Sequence, residues 1–179
     1  MKLGVKRVAF DGILTGLALV SYILESLLPQ IFLPVPGVKI GLSNIFTLVA
    51  VAATGFPDAI IIIVARTVLG SLICGTMAAL PYSLTAGVVA TTLSYLLYRV
   101  IPNGKISIVA VSVAGAVAHN LTQNLIFCLV SQTKEAAGYF PILAGVGVIS
   151  GIITGLLAFL ILKTIPDSTW EAVRGRRKT

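Results

Sequence analysis

The sequence predicts an all-α integral membrane protein with six transmembrane helices, and three observations carry that reading. Of the 179 residues, 57% are hydrophobic and only 11% charged, against about 45–50% and about 25% in a soluble domain. The mean hydropathy is +1.03. The apolar residues fall into runs close to the roughly 20 residues that a helix rising about 1.5 Å per residue needs to cross a hydrocarbon core. Short breaks rich in Pro and Gly separate the runs.

The first run, residues 8–28, follows the basic start around Lys2, Lys6 and Arg7. It is longer than a signal-peptide core and has no Ala-x-Ala cleavage pattern, so it reads as a helix that is retained. Pro29 and the run Pro34-Val35-Pro36-Gly37 end it, and the second helix takes residues 40–55. Gly55-Phe56-Pro57-Asp58 is a stop followed by a start, placing the third helix at 58–79, because Pro suits a first turn and Asp complements the helix dipole there. Pro81 opens the fourth at 82–100, Pro102-Asn103-Gly104 precedes the fifth at 106–131, and a polar stretch precedes the sixth at 139–163. Residues 1–167 thus form one membrane domain. Residues 168–179, with Trp170 and a basic end, form a tail expected along the inner membrane surface.

Basic residues orient the bundle, since cytoplasmic loops are enriched in Lys and Arg. With the N-terminus inside, the cytoplasmic side holds Lys2, Lys6, Arg7, Arg99, Lys105, Lys163, Arg174, Arg176, Arg177 and Lys178. The outside holds Lys39 and Lys134. Both termini are therefore expected in the cytoplasm. The formal charge of +7 is accounted for by these flanking positions, so the expected partner is the bilayer with its anionic lipids and not nucleic acid.

Several chemistries lack their residues. The sequence contains no Gly-x-x-x-x-Gly-Lys-Ser/Thr loop for ATP phosphates and no Gly-x-Ser-x-Gly nucleophile turn. Its six acidic residues are scattered singly, whereas magnesium-dependent diphosphate chemistry needs clustered carboxylates. Cys74 and Cys128 lie in apolar runs without metal-ligand spacing and read as small core hydrophobes. No enzyme activity and no cofactor are expected.

Polar groups inside spans are the informative residues, because each needs a partner, a cavity or a ligand. The fifth helix carries Asn120, Gln123 and Asn124 on one face with His119 beside them. Lys39, Ser43 and Asn44 stand at the start of the second helix, and Ser83 and Thr85 open the fourth. Together they bring donors and acceptors to a similar depth near the outside, which suits a pocket for a polar or anionic solute. The competing reading is hydrogen bonding between helices, at about 0.6 kcal/mol per pair. Arg66 lies about 12 Å along the third helix, where it either snorkels to headgroups or pairs with carbonyls, or else binds an anion or couples to a partner. Interfacial solvation accounts for Asp11 and Glu25. Gly147, Gly151 and Gly155 form a stripe that allows close packing within the bundle, and Gly12 and Gly16 form a shorter one suited to packing or to partner docking.

Three stretches carry a family resemblance: Pro36-Gly37-Val38-Lys39-Ile40-Gly41-Leu42-Ser43-Asn44-Ile45, Arg66-Thr67-Val68-Leu69-Gly70, and Gly115-Ala116-Val117-Ala118-His119-Asn120-Leu121-Thr122-Gln123. With these, most of the chain resembles the bacterial membrane family labelled heptaprenyl diphosphate synthase component I, or Gx transporter family. That family is similar to the S components of energy-coupling factor (ECF) transporters. The resemblance implies a solute-capture subunit for a vitamin or a cofactor or quinone precursor, joined to a transmembrane coupling protein and cytoplasmic ATPases. It assigns Lys39, Ser43, Asn44, Asn120 and Gln123 to substrate, residues 29–37 to a lid, and Gly12 and Gly16 to docking. Thr122 and Ala86 stand where the family pattern leads one to expect glycine. Two other roles stay open: an accessory subunit in prenyl diphosphate or menaquinone synthesis, and a self-contained carrier or flavin-trafficking protein linked to extracytoplasmic electron transfer.

Overall fold

In the computed structural model, residues 4–27, 41–100, 106–132 and 134–174 are described, and among them there is no strand. The helices are α1 (Val5–Leu27), α2 (Leu42–Ala53), α3 (Phe56–Ile73), α4 (Leu80–Val100), α5 (Ile108–Ser131), α6 (Phe140–Thr164) and α7 (Asp167–Arg174). Short 3₁₀ segments, Met77–Ala79 and Lys134–Tyr139, lead into α4 and α6.

Local chemistry sets the ends. The Ser107 side chain caps α5 by accepting from the Ala110 amide at 3.1 Å. Proline lies in the first turn of both α3 and α6. Gly75 takes a left-handed φ of 67° just after α3, where the Thr76 amide returns to the Ser71 carbonyl at 2.9 Å.

Among the described residues, five helical stretches are long and apolar enough to cross a membrane, and α2 is not one of them. The sequence reading gave it residues 40–55, but the described helix has 12 residues, nine of them buried. Gly41 and Gly55, both at positive φ, bound it. Packed on α1, α3, α4 and α6, α2 occupies the middle of the bundle. Val49 and Ala50 there meet Leu14 and Ala18 of α1, Ile62 of α3, Val111 of α5 and Ala158 of α6 in one core cluster. The third helix also stops earlier than expected, at Ile73 rather than residue 79, because the Gly75 turn intervenes.

Small residues set the helix spacing. A Cβ at Gly147, Gly151 or Gly155 would lie 2.8, 2.5 and 2.8 Å from the Cα atoms of Val117, Val113 and Val109, so the glycine stripe seats α6 directly on the α5 backbone. Gly70 accommodates the Tyr22 ring of α1, and Gly115 accommodates Ser94 of α4. Gly12 and Gly16 have open space beside them.

The polarity is that of a protein solvated by lipid. Exposed side chains include Ile13, Leu17 and Leu24 of α1 and Ile149, Ile153 and Leu160 of α6, while Arg66, Glu25, Asn120 and Asn124 are buried. The chain is a multi-pass helical membrane protein. Arg7, expected to act as a topology signal, donates from Nε to Asp58 at 2.7 Å and from its terminal amine to the Thr54 carbonyl at 2.6 Å, tying the start of α1 to the α2–α3 turn. The tail segment α7 packs against α1 and α2, with Val173 buried.

Candidate functional site

The end of α1, the start of α2 and the middle of α3 converge at the end of the bundle away from the Arg7–Asp58 pair. Gly41, at φ 82°, turns the chain into α2, and a Cβ there would press on the Asn44 side chain at 2.9 Å. The turn aims its amides at α1. Glu25 Oε1 accepts from the Gly41 and Leu42 amides at 2.6 and 3.0 Å, so a carboxylate from another helix satisfies the open N–H groups at the start of α2. One turn earlier, the Tyr22 hydroxyl lies 3.3 Å from Ser71 Oγ.

Arg66 projects from α3 into the same region and is only 3% exposed. Its terminal nitrogens donate to Ser43 Oγ and to Asn44 Oδ1, the latter at 2.6 Å. Burial excludes snorkelling to headgroups. Planar guanidinium geometry suits this fork, which fixes two α2 side chains while leaving Nε without a partner among the described residues. The other Glu25 oxygen, Oε2, is likewise buried without one.

These groups line a narrow cleft with about 30 Å³ of internal space, small beside the about 300–1,000 Å³ of a typical small-molecule site. Of the residues singled out in the sequence, Ser43, Asn44, Ser83, His119, Asn120 and Gln123 line it. Residues of α2, α4 and α5 therefore do meet at one level. Asn120 also donates to the Leu143 carbonyl at 3.2 Å, anchoring α5 to α6.

The remaining assignments fall elsewhere. Asn124 does not line the cleft; its amide donates to the Ala136 carbonyl at 2.9 Å. Thr85 bonds back to the Pro81 carbonyl at 2.8 Å. Lys39 and the lid at 29–37 lie outside the described residues. Arg66, grouped with Gly12 and Gly16 for partner coupling, belongs to the cleft.

Sequence reasoning missed Glu25, Tyr22, Thr67 and Ser150, which also line the cleft. The three-residue spacing of Tyr22 and Glu25 on one helix face was an available signal. Ser150 stood hidden beside the glycine stripe. A second recess, also of about 30 Å³, shares Asn44 and Ala116 with the cleft and continues between α2, α4, α5 and α6. The hydroxyls of Thr47, Thr91, Ser94, Ser112 and Thr154 line it, and Ser112 and Thr154 share a hydrogen bond of 2.9 Å.

A polytopic α-helical membrane protein with a polar cleft enclosed at one end of its bundle is the class these features define. Within that class, the family model described as Heptaprenyl diphosphate synthase component I matches residues 14–161, and the chain belongs to that family. No curated protein and no solved structure matches it.

Proposed function

We propose that the protein is the substrate-binding membrane subunit of an ATP-driven importer, similar to an S component of an ECF transporter, for a vitamin or a cofactor or quinone precursor. The carrying observation is the cleft, in which hydrogen-bonding groups from six helices, with a buried arginine and a buried carboxylate, surround one space. The space holds about two waters as packed, so a solute enters by parting the helices that line it. Capture rather than catalysis is the role these groups suit.

In this reading α2, about 18 Å long at about 1.5 Å per residue, joins the turn before it as a sixth crossing. With six crossings and the excess of Lys and Arg inside, both termini lie in the cytoplasm of a bacterial cell and the cleft opens outward. Gly12 and Gly16, with open space beside them, supply a face on α1 for the coupling protein, whose ATPases drive release.

The test is to purify the full chain gently from its native membrane and identify by mass spectrometry both the small molecules released on denaturation and the proteins that accompany it. A stoichiometric solute together with a coupling protein and ATPases is expected, and Gly16→Leu should lose those proteins while keeping the solute. An empty, well-folded protein accompanied by a soluble prenyl synthase would refute the reading. The family's description favours that second role, an accessory subunit of a heptaprenyl diphosphate synthase.

A further inference from the structure

We propose that the cleft takes a ligand of no net charge whose polar edge places an N–H donor beside a carbonyl or carboxylate oxygen, the donor on Glu25 and the oxygen on Arg66. The inference rests on the solute-binding reading above and adds the chemistry of the solute.

Both charged residues are more than nine-tenths buried and line the same cleft, yet they form no ion pair with each other. Each is half used. Arg66 spends its two terminal nitrogens on Ser43 and Asn44, and Glu25 spends one oxygen on two backbone amides. Of the groups that remain, Arg66 Nε–H and Glu25 Oε2 are each buried without a partner among the described residues. Unmatched donors and acceptors of charged groups are costly in a site shielded from bulk water. A ligand that supplies an acceptor to one and a donor to the other completes both.

Charge narrows the class further. Glu25 and Arg66 are the carboxylate and the guanidinium among the described residues of the lining, and with His119 neutral their formal charges cancel. A neutral or zwitterionic ligand preserves that balance. A diphosphate would instead bring two or more negative charges into a poorly solvated space already holding a carboxylate, with one guanidinium among the described residues to offset them. The rest of the lining is uncharged hydrogen-bonding chemistry, including Ser83, Asn120 and Gln123. Two ligand types carry the required edge: a cyclic amide or ureide, and an α-amino acid.

The test is equilibrium dialysis of the full chain in lipid nanodiscs with three labelled probes, namely uracil as the cyclic ureide, glycine as the zwitterion and inorganic pyrophosphate as the polyanion. Mass spectrometry of the molecule released from untreated wild-type protein accompanies it. Retention of uracil or of glycine, with pyrophosphate excluded, is the expected result and tells the two ligand types apart. Arg66→Gln and Glu25→Gln should each weaken that retention about tenfold or more, the loss of a hydrogen bond to a charged group. Because Glu25 also caps α2, its variant can fail to fold; the ranking of the probes on wild-type protein then decides. Tighter binding of pyrophosphate, or release of a phosphorylated molecule, overturns the uncharged class while leaving a solute site. Wild-type protein that binds none of the probes and releases nothing overturns both.

Discussion

Replacing Gly151 by alanine places a methyl group against the backbone of α5, and the structure gives the size of the insult. The new Cβ would lie 2.5 Å from the Val113 Cα, 3.0 Å from its nitrogen and 3.1 Å from the Ser112 carbonyl oxygen. All three are backbone atoms, so no side chain can swing aside, and reaching an ordinary contact requires α5 and α6 to separate by about 1 Å. Such a gap forfeits about a quarter to a half of each dispersion contact it opens, and it opens them along the whole stripe from Gly147 to Gly155. Overpacking of this kind costs about 1–3 kcal/mol, while replacing Gly by Ala within a helix returns up to about 1 kcal/mol. Gly145→Ala on the same helix meets open space and isolates the propensity gain. The assay is unfolding of both variants in detergent, followed by loss of the monodisperse fraction. Gly151→Ala should be less stable than Gly145→Ala by about 1–3 kcal/mol. Equal stability would refute the claim that backbone contact sets the α5–α6 spacing. That spacing also positions the cleft wall, since Ser150 on α6 and Asn120 on α5 face it.

Asn120→Ala should weaken retention of the endogenous solute, whereas Asn124→Ala should leave retention intact and cost only about 0.6 kcal/mol of stability; solute content and unfolding midpoints of both variants check this. Arg7→Met leaves the Asp58 carboxylate buried without its cation, so stability should fall by about 1–3 kcal/mol. The loss is held down because Arg7 keeps 21% of its side-chain surface exposed, and adding Asp58→Asn should recover part of it in the same unfolding assay.

Much of this molecule was legible in the sequence because the bilayer imposes a local rule. A backbone in hydrocarbon must satisfy its own hydrogen bonds, so apolar runs and the prolines and glycines that break them mark helices without knowledge of neighbours. The described bounds of α1, α4, α5 and α6 fall within three residues of those expected from such runs. The polar faces of α2 and α5 were visible for the same reason, since an amide in an apolar run stands out whatever it touches, and Ser43, Asn44, Asn120 and Gln123 do meet in one cleft. Only the tertiary structure decided the rotation and depth of each helix, and with them what the charges do. Glu25 near the end of α1 looks like a solvated terminus until Gly41 brings the α2 amides onto it. Arg66 looks able to snorkel until Ser43 and Asn44, more than twenty positions earlier, arrive at its guanidinium. The central place of α2, a helix the sequence marked without its depth, comes from helices that surround it from distant parts of the chain. Hydropathy is a property of a segment, whereas a buried charge takes its meaning from the partners that packing brings to it.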